Sequence, residues 1–332
     1  MSVSEAEQLA GQASLRAVIA AGGGGTAVVL RRVERRMAVL TGSHGDALAR
    51  HGGQTLAAGG KRLRPLLVCV AAGVPVLESD ALVRGAVAVE LVHAATLVHD
   101  DVIDGAHLRR GRPTVVAAGG RLMALATGDL LFSRAFAELA TGAEIEPIRL
   151  LSAAACGLAE GELMQRADAW DAGVSVARYL ERCRLKTGVL FRAACELGAL
   201  AGGGDVAALG RFGELIGLAF QLLDDVLDVS GPPERTGKPR GADLLDGTVT
   251  LPLIEARRCD PALASLDVRT IRSAQRAADV CDAITATGAV EVARARALRV
   301  VAEAKATLPA RLGHRQRGTL ELVANGVVER YS

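Results

Sequence analysis

Two acidic stretches hold the residues best suited to chemistry: His99-Asp100-Asp101-Val102-Ile103-Asp104 and Gln221-Leu222-Leu223-Asp224-Asp225-Val226-Leu227-Asp228. Each reads Asp-Asp-x-x-Asp and closes a long apolar run of helical period. Asp100 and Asp104 therefore share one helix face, as do Asp224 and Asp228. Like charges at i and i+4 repel, and carboxylates near a helix C-terminus oppose the macrodipole. A single motif of this kind reads equally well as a solvated helix end. Two of them in apolar context point to bound multivalent cations, and hard carboxylate oxygens suit Mg²⁺. Asp100, Asp101, Asp104, Asp224, Asp225 and Asp228 are the candidate metal ligands.

Cationic turns accompany the acids. Gly59-Gly60-Lys61-Arg62-Leu63-Arg64-Pro65 opens directly into an apolar helix, and free N–H groups beside clustered cations make an anion site. Arg109-Arg110-Gly111-Arg112-Pro113-Thr114 follows Asp104 closely. Lys186-Thr187-Gly188 interrupts a helical stretch, and Gly237-Lys238-Pro239-Arg240-Gly241-Ala242-Asp243 lies in a Gly/Pro-rich segment that reads as a mobile lid. Each turn alone reads as a solvated basic surface. Beside the aspartates they suggest phosphate oxygens bridged by metal on one side and gripped by cations on the other. Only four of the 39 basic side chains are lysines, and three of them (Lys61, Lys186 and Lys238) fall in these motifs. A compact ammonium suits those positions better than a guanidinium fork.

The elements that must position these groups are helical. No stretch alternates convincingly as a strand, so the fold class is all-α. Half of the 332 residues are hydrophobic but only 2% are aromatic, which predicts a core of Ala, Leu and Val. A net charge of +2 without stacking aromatics argues against nucleic acid as a partner. The six cysteines show no C-x-x-C pairing, which disfavours zinc and predicts free thiols. The longest uncharged apolar run, Leu66 to Leu77, is too short to span a bilayer. The N-terminus lacks a secretory pattern. These features predict a cytoplasmic protein without a transmembrane segment. Residues 1–25 read as an amphipathic helix and a glycine hinge, and 26–332 as one domain in which Val29, Val33, Met37 and Leu40 begin the core. Trp170 reads as a packing residue; His44, His51 and His99 receive no role.

These pieces in this order resemble the trans-isoprenyl diphosphate synthases, or polyprenyl synthetases, from roughly residue 30 to the C-terminus. The resemblance rests on the Gly-Gly-Lys-Arg-Leu-Arg-Pro block, both aspartate motifs, Arg109-Arg110, Lys186-Thr187, Gln221 and the Lys238 loop. It implies a single bundle of helices around a deep cavity, the acidic motifs facing across its mouth, and usually a homodimer. It further implies that Asp100, Asp104 and Asp224 hold an allylic diphosphate through Mg²⁺, with Asp101, Asp225 and Asp228 in inner or supporting roles. Arg109, Lys186 and Lys238 would grip that diphosphate. Isopentenyl diphosphate would lie on Lys61, Arg64, His93 and Arg110, and Thr187 and Gln221 would flank the allylic cation.

One departure stands out. Gly247-Thr248-Val249-Thr250-Leu251-Pro252 carries Thr248 where the family commonly has lysine, which predicts a weaker allylic site. Product length is expected to follow the residues upstream of Asp100. Thr96 and Ala95 are small, which leaves a tunnel open past Val92, Leu91 and Ala88, with Phe132 or Met123 as a deeper floor. The implied product is longer than geranylgeranyl diphosphate, such as a quinone side-chain precursor, and its release would bring peripheral membrane contact. The alternatives are a farnesyl- or geranylgeranyl-length synthase, a terpene cyclase, the catalytic subunit of a heteromeric synthase, and a metal-binding helical scaffold. A cyclase is disfavoured by the scarcity of aromatics to guide cations.

Overall fold

The computed structural model describes residues 16–42, 46–57, 62–73, 79–109, 111–231 and 239–329. Lys61, Arg110 and Lys238, and most of the expected N-terminal helix, lie outside the described residues.

Helix after helix follows along the chain. After a helical segment over residues 16–22 and a break at Gly23 (φ 87°) come α1 (Gly24–Gly42), α2 (Asp46–Ala57), α3 (Leu63–Ala71) and α4 (Asp80–Ile103). A two-residue antiparallel hairpin, β1 (Leu108–Arg109) with β2 (Arg112–Pro113), turns at Gly111 and leads into α5 (Val115–Ala140). Next are α6 (Glu146–Ala167), α7 (Val176–Cys183), a π-helical turn (Arg184–Gly188), α8 (Val189–Gly202) and α9 (Val206–Ser230). The C-terminal part holds α10 (Ala242–Leu245), α11 (Leu251–Cys259), α12 (Pro261–Ala264), a 3₁₀ turn (Val268–Thr270), α13 (Ala274–Ala286), α14 (Ala289–Ala306) and α15 (His314–Glu329). The all-α expectation holds, the short hairpin being the only pairing among the described residues.

Local signals start the helices that matter. The hydroxyls of Ser79, Thr114 and Ser175 and the carboxylate of Asp205 accept hydrogen bonds from the first free N–H groups of α4, α5, α7 and α9. Gly120 (φ 79°, ψ 171°) kinks α5 near its start, where a side chain would resist that backbone.

The core is aliphatic, as composition required. Val87, Ala88, Leu91, Val92 and Ala95 of α4 are fully buried, and Val29, Val33 and Met37 line α1's inner face as the spacing predicted. Gly217 brings α9 against the π turn, where an added methyl would lie 2.8 Å from Gly188 Cα. Asp80–Ile103, Val115–Ala140 and Val206–Ser230 are long and apolar enough to cross a membrane, which corrects the expectation drawn from uncharged runs alone. Isolated polar residues such as Glu90 and Asp129 interrupt those runs without lowering mean hydropathy much. The first and third spend most of that surface on the core, 72% and 61% buried, whereas α5 is only 28% buried.

Directions follow from contacts. His99 near the end of α4 stacks on Phe132 of α5, whereas Arg84 near its start lies over Gly142 just past α5. The two helices are therefore antiparallel, and later residues of α5 lie deeper. Ion pairs Arg166–Asp104 and Lys186–Glu162 and the Thr187–Gln221 hydrogen bond bring the C-terminal parts of α4, α6 and α9 and the π turn together at one end of the bundle.

Candidate active site

The acidic motifs divide by burial. Asp100 is half-buried at the last turn of α4, and burial pushes its carboxyl up to about 6, with Lys186 pulling the other way. Asp104 caps the same helix and is exposed, and Asp224 is exposed on α9. Asp101 points inward, where Arg109 clasps its Oδ1 through Nε and Nη2, each at 2.8 Å. Asp225 is buried and accepts from Tyr179 Oη at 2.5 Å and from Gln221 Nε2 at 2.7 Å. Its carboxyl is raised, first by burial. Asp228 accepts from the backbone N–H groups of Ala242 and Asp243 and so ties the start of α10 to the end of α9. Each motif thus has one aspartate buried in the fold, Asp101 or Asp225, beside aspartates that are half-buried or exposed.

The π turn joins the motifs. Lys186 acts electrostatically on Asp100, while the adjacent Thr187 donates to Gln221 Oε1 at 2.8 Å, one turn before Asp224. π-bulges re-aim side chains in this way and recur at functional sites. Glu162 and Arg166 of α6 were given no role from sequence. Glu162 accepts from Lys186 Nζ at 2.6 Å and from Arg166 Nε at 2.8 Å, and Arg166 Nη2 reaches Asp104 at 3.0 Å. The available signal was Gly161, where a methyl would strike the Lys186 backbone N–H at 2.8 Å.

Arg64 sits deeper. Its guanidinium carbon lies 4.8 Å over the Phe191 ring, its Nε is buried without a hydrogen-bond partner, and burial pulls it down to about 10. Phe191 packs in turn on Phe220, the neighbour of Gln221, with centroids 5.7 Å apart. Arg62, also unassigned from sequence, adopts the left-handed region (φ 45°) and pairs with Glu34 at 2.6 Å and Glu90 at 2.9 Å, fixing the entry to α3. His93 is half-buried on the Asp100 side of α4, and its carbonyl accepts from Thr96 Oγ1.

Trp170 packs, as expected. In the left-handed region itself (φ 66°), it donates its backbone N–H to the Gly247 carbonyl at 2.8 Å and lays its ring where a Gly247 side chain would be. Arg182 holds the Val249 carbonyl at 2.5 Å, so Thr248 sits on a backbone pinned from both sides.

Of the residues expected to set chain length, the deeper floor on α5 needs a correction. Ala95 is fully buried and lies about 140° around α4 from Asp100, whereas Thr96 and Val92 are within about 80° of it. Phe132 stands beside His99, and Met123 precedes it on the antiparallel helix. Both therefore lie at the mouth end and not beneath Thr96; Phe136 and Leu139 are the deeper α5 residues.

Among the described residues no three His, Cys, Asp or Glu side chains converge to hold a metal alone. A Mg²⁺-like cation keeps several waters and takes one or two carboxylates plus substrate phosphates. The hard, outward Asp100, Asp104 and Asp224 oxygens fit that requirement.

A polyprenyl synthetase family model matches residues 46–287. The chain belongs to the polyprenyl synthetase family. It is 40% identical over 271 residues (80% of this chain, 83% of the relative) to heptaprenyl diphosphate synthase component 2 of Geobacillus stearothermophilus. It is also 43% identical over 208 residues (60% and 64%) to a geranylgeranyl diphosphate synthase of Methanosarcina mazei. A polyprenyl synthase structure from Caulobacter crescentus, complexed with calcium and isoprenyl diphosphate, superposes with a TM-score of 0.87 at 33% identity, covering 96% of this chain and 98% of that one. This polyprenyl synthetase is a prenyltransferase with the all-α fold of its relatives.

Proposed function

We propose that this synthase condenses an allylic diphosphate with isopentenyl diphosphate in the presence of Mg²⁺ to make a polyprenyl diphosphate longer than geranylgeranyl. The observation that carries this reading is the junction at the π turn, where Lys186 pairs with Glu162 close enough to Asp100 to act on it electrostatically and Thr187 bonds Gln221.

Asp100, Asp104 and Asp224 would hold the cation, which neutralises the departing diphosphate. Lys186 and Arg109 grip the diphosphate oxygens, together with Lys238. Arg64, held over Phe191, offers its guanidinium to isopentenyl diphosphate, with Lys61, His93 and Arg110 completing that site. Thr187 commits its hydroxyl proton to Gln221, so its remaining lone pairs face the allylic cation. The isopentenyl double bond attacks that cation, and the departing diphosphate takes the proton that is lost.

The setting is the cytoplasm, and the assembly a homodimer. A catalytic subunit that needs a partner is the second reading, favoured by the likeness to a protein named as component 2. The test is incubation of the pure protein with Mg²⁺, labelled isopentenyl diphosphate and geranyl, farnesyl or geranylgeranyl diphosphate, the products being sized as alcohols. A long labelled prenol is expected. No elongation by the protein alone would favour the two-component reading, and a farnesyl- or geranylgeranyl-length product would refute the open tunnel.

A further inference from the structure

Glu214 is a buried carboxylate, only 4% exposed, with no part in the chemistry proposed above. On α9, Glu214, Gly217 and Gln221 fall within a sector of about 60°, and all three meet the π turn. Gln221 accepts from Thr187, and Gly217 lies against Gly188. Glu214 Oε1 accepts from Nη1 of Arg184, the first residue of the turn, at 3.0 Å. Two more guanidiniums converge on the same carboxylate. Arg211 Nη1 donates to Oε2 at 2.9 Å, and Arg192 Nη1 of α8 lies 3.8 Å from Oε1. Each of the three also has a second acid: Arg184 has Glu181, Arg192 has Glu196 and Arg211 has Glu303. Glu214 is therefore the hub that ties the turn, α8 and α9 together, its buried charge paired on both oxygens.

The π turn needs such a tie. It inserts one extra residue between α7 and α8, closed by the bond from the Val189 N–H to the Arg184 carbonyl. Annealing to a regular α-helix would turn one flank against the other by about 100°. Phe191, Ala194 and Cys195 of α8 are fully buried and resist rotation, so Lys186 and Thr187 would swing instead. We propose that Glu214 is a positioning residue for the allylic site: through Arg184 it holds the π turn so that Lys186 stays beside Asp100 and Thr187 on Gln221. The inference rests on the allylic role proposed above for those two side chains. Glu162 fixes the Lys186 ammonium from α6, and Glu214 anchors the turn that carries it.

Glu214→Gln keeps the shape of the side chain and removes the charge that gathers the three arginines. The KM for farnesyl diphosphate should rise and kcat fall, together lowering kcat/KM by about 10- to 100-fold, as a displacement near 1 Å does. The KM for isopentenyl diphosphate should stay within about threefold of the parent. In protein already carrying Lys186→Ala and Thr187→Val, adding Glu214→Gln should change kcat/KM by less than about twofold, whereas a general loss of stability would lower it again. Glu303→Gln breaks only the exposed Arg211–Glu303 pair and should leave the kinetics unchanged. Should Glu214→Gln misfold, Arg184→Met removes the tie from its partly exposed end and should give the same pattern. Parental kinetics in the folded variants, or an equal loss with and without Lys186 and Thr187, would overturn the assignment. A sulfur-bridged, slowly ionising analogue of farnesyl diphosphate separates this role from the activity itself. Its Kd, measured with Mg²⁺ and without turnover, should weaken by about tenfold or more in Glu214→Gln. An unchanged Kd would refute the positioning role. A parent that fails to condense substrates while the Kd still shifts would count against the proposed activity and leave the positioning role supported.

Discussion

Asp100 shows what the site requires of a single side chain. Burial raises its carboxyl from an ordinary 3.8 to about 6. Between those values the folded protein holds a proton that the unfolded chain has released, so stability falls as pH rises through that window and stays lowered above it. Asp100→Asn removes the penalty. In metal-free protein it should raise the melting temperature at pH 7 and change it little near pH 4, while condensation falls by about 10²-fold or more. A lower melting temperature than the parent at pH 7 would contradict this account. Thr248 is the converse case, a charge the family commonly places here and this chain lacks. Its backbone N–H is held by the Asp243 carbonyl at 2.8 Å, and its neighbours are pinned by Trp170 and Arg182. Thr248→Lys should therefore add a cation without moving the loop. The KM for the allylic substrate should drop by a few-fold to about tenfold with kcat little altered; an unchanged KM would show that the position does not face the diphosphate.

At the scale of elements, function depends on how closely α9 approaches the π turn. Gly217 permits that approach: a methyl would lie 2.8 Å from Gly188 Cα and 2.9 Å from Phe191. Gly217→Ala should cost about 1–3 kcal/mol in urea unfolding and lower kcat as the Thr187–Gln221 pairing shifts. Gly318→Ala on α15, where nothing lies within 4 Å, is the control and should be neutral or slightly stabilising. Equal behaviour of the two would remove the close-approach argument. The interruption at Lys186-Thr187-Gly188 was legible in sequence because a lone lysine in an apolar helix needs a partner. That the partner is Glu162 was not, since residues distant in sequence show no periodic relation until α6 is seen to cross the turn at Gly161. The α5 floor lies elsewhere than spacing predicts for a related reason. Spacing places Phe132 and Met123 on a helix but does not give that helix's direction relative to α4, and the antiparallel arrangement puts both at the mouth.

For the whole molecule, helix content and the outward aspartates were legible because helical period and charge are local properties. The division of each motif into outward and buried acids was not, because it depends on Arg109 and Tyr179 arriving from other elements. The use made of α5's surface was equally invisible. Leu122 is 84% and Leu125 37% exposed on that helix, and Leu163 of the adjoining α6 is 71% exposed. Ala126, Ala153 and Ala159 are exposed on the same pair of helices, so small side chains accompany the leucines on this surface. A second copy of the chain would cover it, matching the homodimer proposed above, and an isologous contact would set α5 against its own counterpart. Leu122→Glu introduces a charge at a position that carries no load in the single chain. The variant should unfold within about 0.5 kcal/mol of the parent under conditions where both are monomeric. At micromolar concentration sedimentation should report a dimer for the parent and a shift toward monomer for the variant, because burying an unpaired carboxylate at a symmetric contact counts twice. A parent that sediments as a monomer, or a variant that dimerises as tightly, would assign this face to a different partner, and the two-component reading would then gain by the same experiment.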